Sequence, residues 1–182
     1  MRLPRTLVAT AAAALAVTGV TAGVATTSSN AAAADVRPVA AVTDDAVVES
    51  KRLSSADAMR AASAALAAAE GDGAGFVSVS VVDRNGQLQA FVRGENAASH
   101  TISASRQKAY TAAAFGAPTS ELAKRATGDN AGLKDLPGTL FLAGAVPVKA
   151  GEASIGGIGV GGTPSGATDQ EYAQAGLDAI TK

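Results

Sequence analysis

Hydrophobic and polar positions divide the chain into three zones. From Leu7 to Val24 apolar residues follow one another with no period. From Asp35 to about Arg52, around Pro38, Asp44 and Asp45, neither a period of 2 nor one of 3.6 holds, which predicts a flexible leader over 35–52. Periodicity begins at Leu53. Ser54 followed by Asp57 is an N-cap signature, because the hydroxyl can accept a first-turn N–H and the carboxylate favours the positive helix end. Met59, Ala62, Leu66 and Ala69 then fall on one helical face, and the helix is expected to end near Glu70 before Gly71-Asp72-Gly73. Phe76 to Val82 follows as a strand with Val77, Val79 and Val81 on one face. Asp83-Arg84-Asn85-Gly86 is a turn whose Asn-Gly supplies positive φ, and Leu88 to Arg93 returns as the second arm of a hairpin.

Past the loop from Gly94 to Ala98, a helix is predicted to start between Ser99 and Ser103 and to run to Phe115, with Gly116 as its C′ residue. Pro118 opens a short helix capped by Thr119 or Ser120, with Leu122 as its core residue. Gly128 to Pro137 reads as a polar loop. Thr139 to Lys149 is β-compatible around Phe141, Leu142 and Val146, and Gly151-Glu152 is a tight turn before a glycine-thinned strand from Ser154 to Val160. Thr168 with Glu171 reads as a capping box, and Tyr172, Ala175, Leu177 and Ile180 form the apolar side of a terminal helix. The order α-ββ-αα-ββ(β)-α, with a third late strand left open and hairpin connections inside each strand pair, predicts an α+β fold: a mostly antiparallel sheet with helices on its faces.

The unperiodic zone at the N-terminus carries its own meaning. Arg2 and Arg5, the apolar stretch and the small residues ending Ala31-Ala32-Ala33-Ala34 follow the order of a secretory signal peptide over 1–34, cut after Ala34 or, as a second choice, after Ala25. The same stretch could just span a bilayer, but Gly19, Gly23 and the cleavage site argue for export. The expected location is secreted, and the domain proper is 53–182.

Composition narrows the chemistry. The 182 residues include no Cys, so thiolate zinc sites, disulfides and Cys nucleophiles are excluded. With one His, His100, no metal cage can use two imidazoles of one chain, and a Ser-His-Asp hydrolase would need His100 as its base. No G-x-S-x-G is present. A net charge of −1 gives no electrostatic case for nucleic acid. Gly157-x-Gly159-x-x-Gly162 matches a dinucleotide fingerprint, but too little chain follows for the returning strand and its acidic residue. Those glycines are expected to let strands or subunits approach closely, or to line a flat pocket.

Several runs taken together resemble the GlcG/HbpS-like family of haem-binding or haem-degrading proteins. They are Val81-Val82-Asp83-Arg84-Asn85-Gly86, Ser105-Arg106-Gln107-Lys108-Ala109-Tyr110-Thr111-Ala112, Ala117-Pro118-Thr119-Ser120-Glu121-Leu122, Pro137 through Val148, Ile155 through Gly162, and Asp169-Gln170-Glu171-Tyr172-Ala173. Export makes the chain most similar to the family's secreted branch. The resemblance implies a profilin-like three-layer α/β/α domain and homo-oligomers of high order, such as octamers. It also implies binding of haem or its iron, and communication with a membrane sensor kinase in redox or oxidative-stress sensing. In that branch an acidic pair spaced i, i+3 can serve iron; no Asp or Glu here is followed three residues later by Glu.

With a helix starting at His100, the residues His100, Ala104, Lys108, Thr111 and Phe115 lie along one stripe. That stripe offers an imidazole, a cation for a propionate, a hydroxyl and an aromatic wall. Arg106 and Tyr110, one turn apart on an adjacent face, could also serve a propionate. The usual axial ligands of haem iron are His, Met, Cys and Tyr. The resemblance points instead to a threonine hydroxyl, Thr111 first and Thr119 second. Two other functions stay open: a haem-degrading or peroxidase-like enzyme, and an oligomer that binds a small molecule other than haem.

Overall fold

The computed structural model describes residues 40–181. The expected export signal over 1–34 and the first residues of the leader lie outside this range. Residues 40–46 form a unit by themselves, exposed throughout, with one 3-10 turn at Asp44–Ala46 closed by the Ala46 amide on the Thr43 carbonyl at 2.9 Å. The second unit begins at Val47 and contains every helix and strand that follows.

Helix α1, Ser55–Gly71, starts where the cap signature put it: the Ser54 hydroxyl accepts the Asp57 amide at 3.1 Å. Its buried face is Ala58, Ala61, Ala62, Ala65 and Ala69, whereas Met59 is 47% exposed. The expected stripe is therefore turned by about one residue. The cause is the neighbour. Helix α4, Gly166–Asp178, crosses α1 so closely that a methyl group at Gly176 would stand 2.7 Å from the Ala61 carbonyl oxygen. Only small side chains fit such a crossing. Helix α4 also begins earlier than Thr168, with Ser165 as its cap, its hydroxyl accepting the Thr168 amide at 3.4 Å.

Strands β1, Ser78–Asp83, and β2, Leu88–Arg93, form the expected hairpin, and β3, Ala145–Ala150, and β4, Ala153–Gly161, form the second. The sheet order is β2-β1-β4-β3, and each neighbouring pair is antiparallel. The strand expected over Thr139–Lys149 is shorter at its start. Residues 139–144 are irregular, with a bend at 142–143, and Phe141 is buried among Leu122 and Ala126 while Leu142 is exposed. The polar loop from Gly128 is ordered into 3-10 turns over Gly128–Asp135, with none of its residues buried.

The two faces of the sheet differ in chemistry. One is apolar: Val77, Val79, Val81, Val146, Val148, Ile158 and Val160 pack against the alanines of α1 and against Tyr172 and Ala173 of α4. On the two central strands, β1 and β4, the other face is serine, glycine and one valine, and helix α2, His100–Phe115, lies on it. Ser78 and Ser80 pair with the Thr101 and Ser105 hydroxyls of α2 at 2.7 and 2.8 Å, and Val82 packs with Ala109 and Ala113. Every second residue of β4 on this face is Gly157, Gly159 or Gly161. A methyl group at Gly159 would overlap the Ser105 carbonyl and stand 2.6 Å from the Ala109 amide nitrogen. The glycine run is thus a seat for a helix, where the sequence pointed to strands, subunits or a flat pocket. With α3, Thr119–Arg125, beside α2 and β3, the domain has three layers: α1 and α4, the sheet, then α2.

Candidate functional site

The candidate site residues cluster on α2, so the seating of that helix decides which of them reach solvent. Its buried residues are Thr101, Ser105, Lys108, Ala109, Thr111, Ala112 and Ala113. Arg106 is left exposed, and Tyr110 half-buried.

His100 is exposed at the first turn of α2. At 1.5 Å rise per residue it lies roughly 15 Å along the axis from Tyr110 and Thr111. The structure does not bring it to them.

Lys108, expected as a cation for a propionate, points inward instead. Its side chain is 7% exposed, and its Nζ donates to Asp169 Oδ2 at 2.8 Å and to the Val160 carbonyl at 3.1 Å. The other Asp169 oxygen accepts the Thr163 amide at 3.1 Å. Gly144, at φ +137, makes room for the ammonium: a methyl group there would stand 2.6 Å from Nζ. Lys108 and Asp169 therefore tie α2 to α4, the outer layers of the domain. Asp169 stands in the sequence as part of the Asp169–Ala173 run, with no sign there of Lys108 as its partner. The signal available was its spacing with Tyr172, Ala173 and Gly176 on the buried face of α4.

Thr111 is fully buried. Its hydroxyl donates to the Gln107 carbonyl at 2.7 Å, as helical threonines do, and accepts the Leu140 amide at 2.8 Å. It thereby pins the turn that follows Gly138. Thr119 is also fully buried, and its hydroxyl accepts the Ala145 amide at 2.9 Å, joining α3 to the start of β3. Neither residue lines either of the two cavities described below.

Arg106 and Tyr110 are brought together. They line one cleft of about 370 Å³ with Gln107, the β1–β2 turn at Asn85, Gly86 and Gln87, and Gly138. The tyrosine ring stands between two positive-φ glycines. A methyl group at Gly86 (φ +77) would stand 2.7 Å from the ring, and one at Gly138 (φ +77) would touch it at 3.9 Å. Only glycine combines that backbone with that proximity at Gly86. Arg106 reaches back to the Gly86 carbonyl at 3.4 Å. Thr111 stands behind the cleft and holds the turn after Gly138. The lining contains no Asp, Glu or His, and among the described residues no three His, Asp or Glu side chains gather as metal ligands.

This arrangement, an antiparallel sheet with a helix pair on one face and a glycine-seated helix on the other, places the domain among three-layer α+β folds. The chain belongs to the family described as haem degrading protein HbpS-like, which it matches over residues 53–178. Among solved structures it is similar to HbpS, at 46% identity over 79% of this chain and 100% of that one, with a TM-score of 0.75. A double mutant of Streptomyces reticuli HbpS is similar at 47% identity, over 80% and 98% of the two chains, with a TM-score of 0.75. A PduOC:heme complex is similar at 26% identity, over 71% and 96%, with a TM-score of 0.65. No curated protein matches the chain.

Proposed function

We propose that this chain is an exported haem-binding protein that holds haem at the Arg106–Tyr110 cleft. One observation carries the assignment of the site: a phenol and a guanidinium, one helical turn apart, face the same glycine-walled cleft. Tyrosine is an axial ligand that haem iron accepts, and a guanidinium can take a propionate through two parallel N–H bonds. Membership of a haem-degrading family and the likeness to a protein solved with haem support the cofactor.

Thr111, the ligand to which the resemblance points first, is here the alternative. Its hydroxyl would have to release the Leu140 amide to reach iron, so ligation there would be coupled to movement of the turn after Gly138. Arg106, in either case, orients a propionate.

A cleft of about 370 Å³ is at the low end of the ~300–1,000 Å³ typical of small-molecule sites. A tetrapyrrole would extend beyond it. A second copy of the chain covering the exposed edge fits the homo-oligomer that the resemblance implies. Export would place the protein where the outer domain of a membrane sensor kinase could read its loading.

Haem degradation is the second reading, favoured by the family's description. The cleft offers it only the Tyr110 phenol as a proton-bearing acid–base group besides the guanidinium, which suits binding better than turnover. Haemin titration of the purified chain, followed at the Soret band, tests binding. A saturable shift at micromolar haemin is expected, and its absence refutes the proposal. Biliverdin or free iron appearing with a reductant would move the reading to the enzyme.

A further inference from the structure

A second cavity, of about 880 Å³, opens between the end of α2, the β1–β2 turn, the β3–β4 hairpin and residues 49–52 of the leader. Its lining shares only Asn85 with the Tyr110 cleft. The volume is that of a site for a whole small molecule.

The wall has two characters. Phe115, which is 40% exposed, lines it with Ala114 and Ile155 and supplies apolar area. Lys51, Arg52, Arg84 and Lys149 bring four cations to the same space. Of the lining carboxylates, Asp83 is already committed: one of its oxygens accepts the Asn85 and Gln87 amides at 2.8 and 2.9 Å and closes the turn. Glu49 and Glu152 remain, and among the described residues no salt bridge joins either to the four cations. Four positive charges thus face three negative ones across an apolar floor, and one of the three, Asp83, is held in its own turn.

The frame of the cavity is held firmly. Arg84 donates to the Ser154 carbonyl at 3.1 Å, which fixes one cation in place. The Ser154 hydroxyl donates to the Ala113 carbonyl at 2.7 Å, tying the hairpin to the end of α2. At Gly116 the chain turns away with φ +65, leaving Phe115 facing the opening. Like charges gathered around a low-dielectric wall repel one another, and an anion seated among them relieves that repulsion.

We propose that this cavity is a second ligand site, for an amphipathic organic anion. Its apolar body packs on Phe115 and Ile155, its carboxylate or sulfonate faces Arg84 and Lys149, and Lys51 and Arg52 of the leader close the outer side. The proposal is independent of haem, because it uses none of the Tyr110 cleft's side chains apart from Asn85.

The probe is 8-anilinonaphthalene-1-sulfonate, an aromatic anion that fluoresces on leaving water, titrated into the folded chain. One equivalent should bind saturably. The Lys51→Glu/Lys149→Glu variant should bind roughly tenfold more weakly, the scale of reversing two partly screened charges. Both lysines are exposed, and an unchanged urea midpoint will show that the variant folds. Tyr110→Phe should bind the dye as wild type does. Equal affinity in the charge-reversed variant overturns the proposal. So does loss of dye binding in Tyr110→Phe, since that would make the two cavities one site.

Discussion

Removing one member of the Lys108–Asp169 pair should cost far more stability than removing both. The two side chains are 7% and 2% exposed, and their charges meet at 2.8 Å. At an effective dielectric near 20 the bare attraction over that distance is about 6 kcal/mol, and desolvating two ions cancels most of it. In Lys108→Met the Asp169 carboxylate stays buried with only the Thr163 amide as a partner. In Asp169→Leu the ammonium stays buried with only the Val160 carbonyl. Each single variant should lose about 3–5 kcal/mol, the usual cost of an uncompensated buried charge. The double variant should lie within about 2 kcal/mol of wild type, because no charge is left behind. Urea unfolding reads this directly: with a slope of ~1–3 kcal/mol per molar, each single change should lower the midpoint by about 2 M. High salt should not rescue the single variants, since the site is closed to ions. Single losses under about 1 kcal/mol, or a double variant that sums the two single losses, would refute the account of Lys108 as a buried tie between layers.

Three further outcomes follow from particular contacts. Gly159→Ala drives a methyl group into the Ser105 carbonyl and the Ala109 amide, both backbone of α2; the loss should be about 3 kcal/mol or more by urea unfolding, whereas Gly151→Ala, with open space around it at φ +64, should cost only the backbone strain of about 1 kcal/mol. Thr111→Val removes the acceptor of the Leu140 amide and should cost about 1–3 kcal/mol, with faster hydrogen exchange at Leu140, while Thr111→Ser keeps both; equal exchange in the two variants would count against the pinned turn. Burial first, and then the Asp72 carboxylate, raise the Tyr172 phenol above its ordinary pKa of 10.0, so the neutral phenol stabilises the fold below that pH. That contribution should be lost as pH rises from about 10 through the folded pKa, and absorbance titration should show a late tyrosine that ionises earlier in Asp72→Asn.

Local pattern made most of the fold legible. Val77, Val79 and Val81 alternate in sequence and face one core in the structure, and the Ser54 cap and the Asn85-Gly86 turn stand where their chemistry put them. The same alternation places Ser78 and Ser80 opposite the valines, but nothing local says that their partners are Thr101 and Ser105 on a helix. Glycines of β4 likewise read as a weak strand or a nucleotide loop until α2 is seen resting on them. β3 starts later than local pattern suggests: Thr139 to Leu142 suit a strand, but the Thr111 hydroxyl, 29 residues away from Leu140, captures that backbone instead. The candidate site was half legible. Arg106 and Tyr110 follow from helical spacing alone. Lys108 has the same helical credentials, but its partner is 61 residues away, so its burial is a property of the assembled layers. The cleft itself joins three separate segments, at 85–87, 106–110 and 138, which no local pattern connects.

The most direct test of the haem assignment compares haemin binding, by Soret titration, in wild type and four variants. Tyr110→Phe removes the phenol and keeps the ring between its glycines; Arg106→Gln removes the guanidinium; Thr111→Val removes the buried hydroxyl; His100→Ala removes the imidazole. The account predicts at least a roughly tenfold loss of affinity in Arg106→Gln, the scale of one charge-assisted bond, and an altered Soret spectrum in Tyr110→Phe. It predicts no change in His100→Ala, and in Thr111→Val an unaltered spectrum with weakening only as far as the turn after Gly138 loosens. Wild-type affinity and spectrum in both Tyr110→Phe and Arg106→Gln would contradict it.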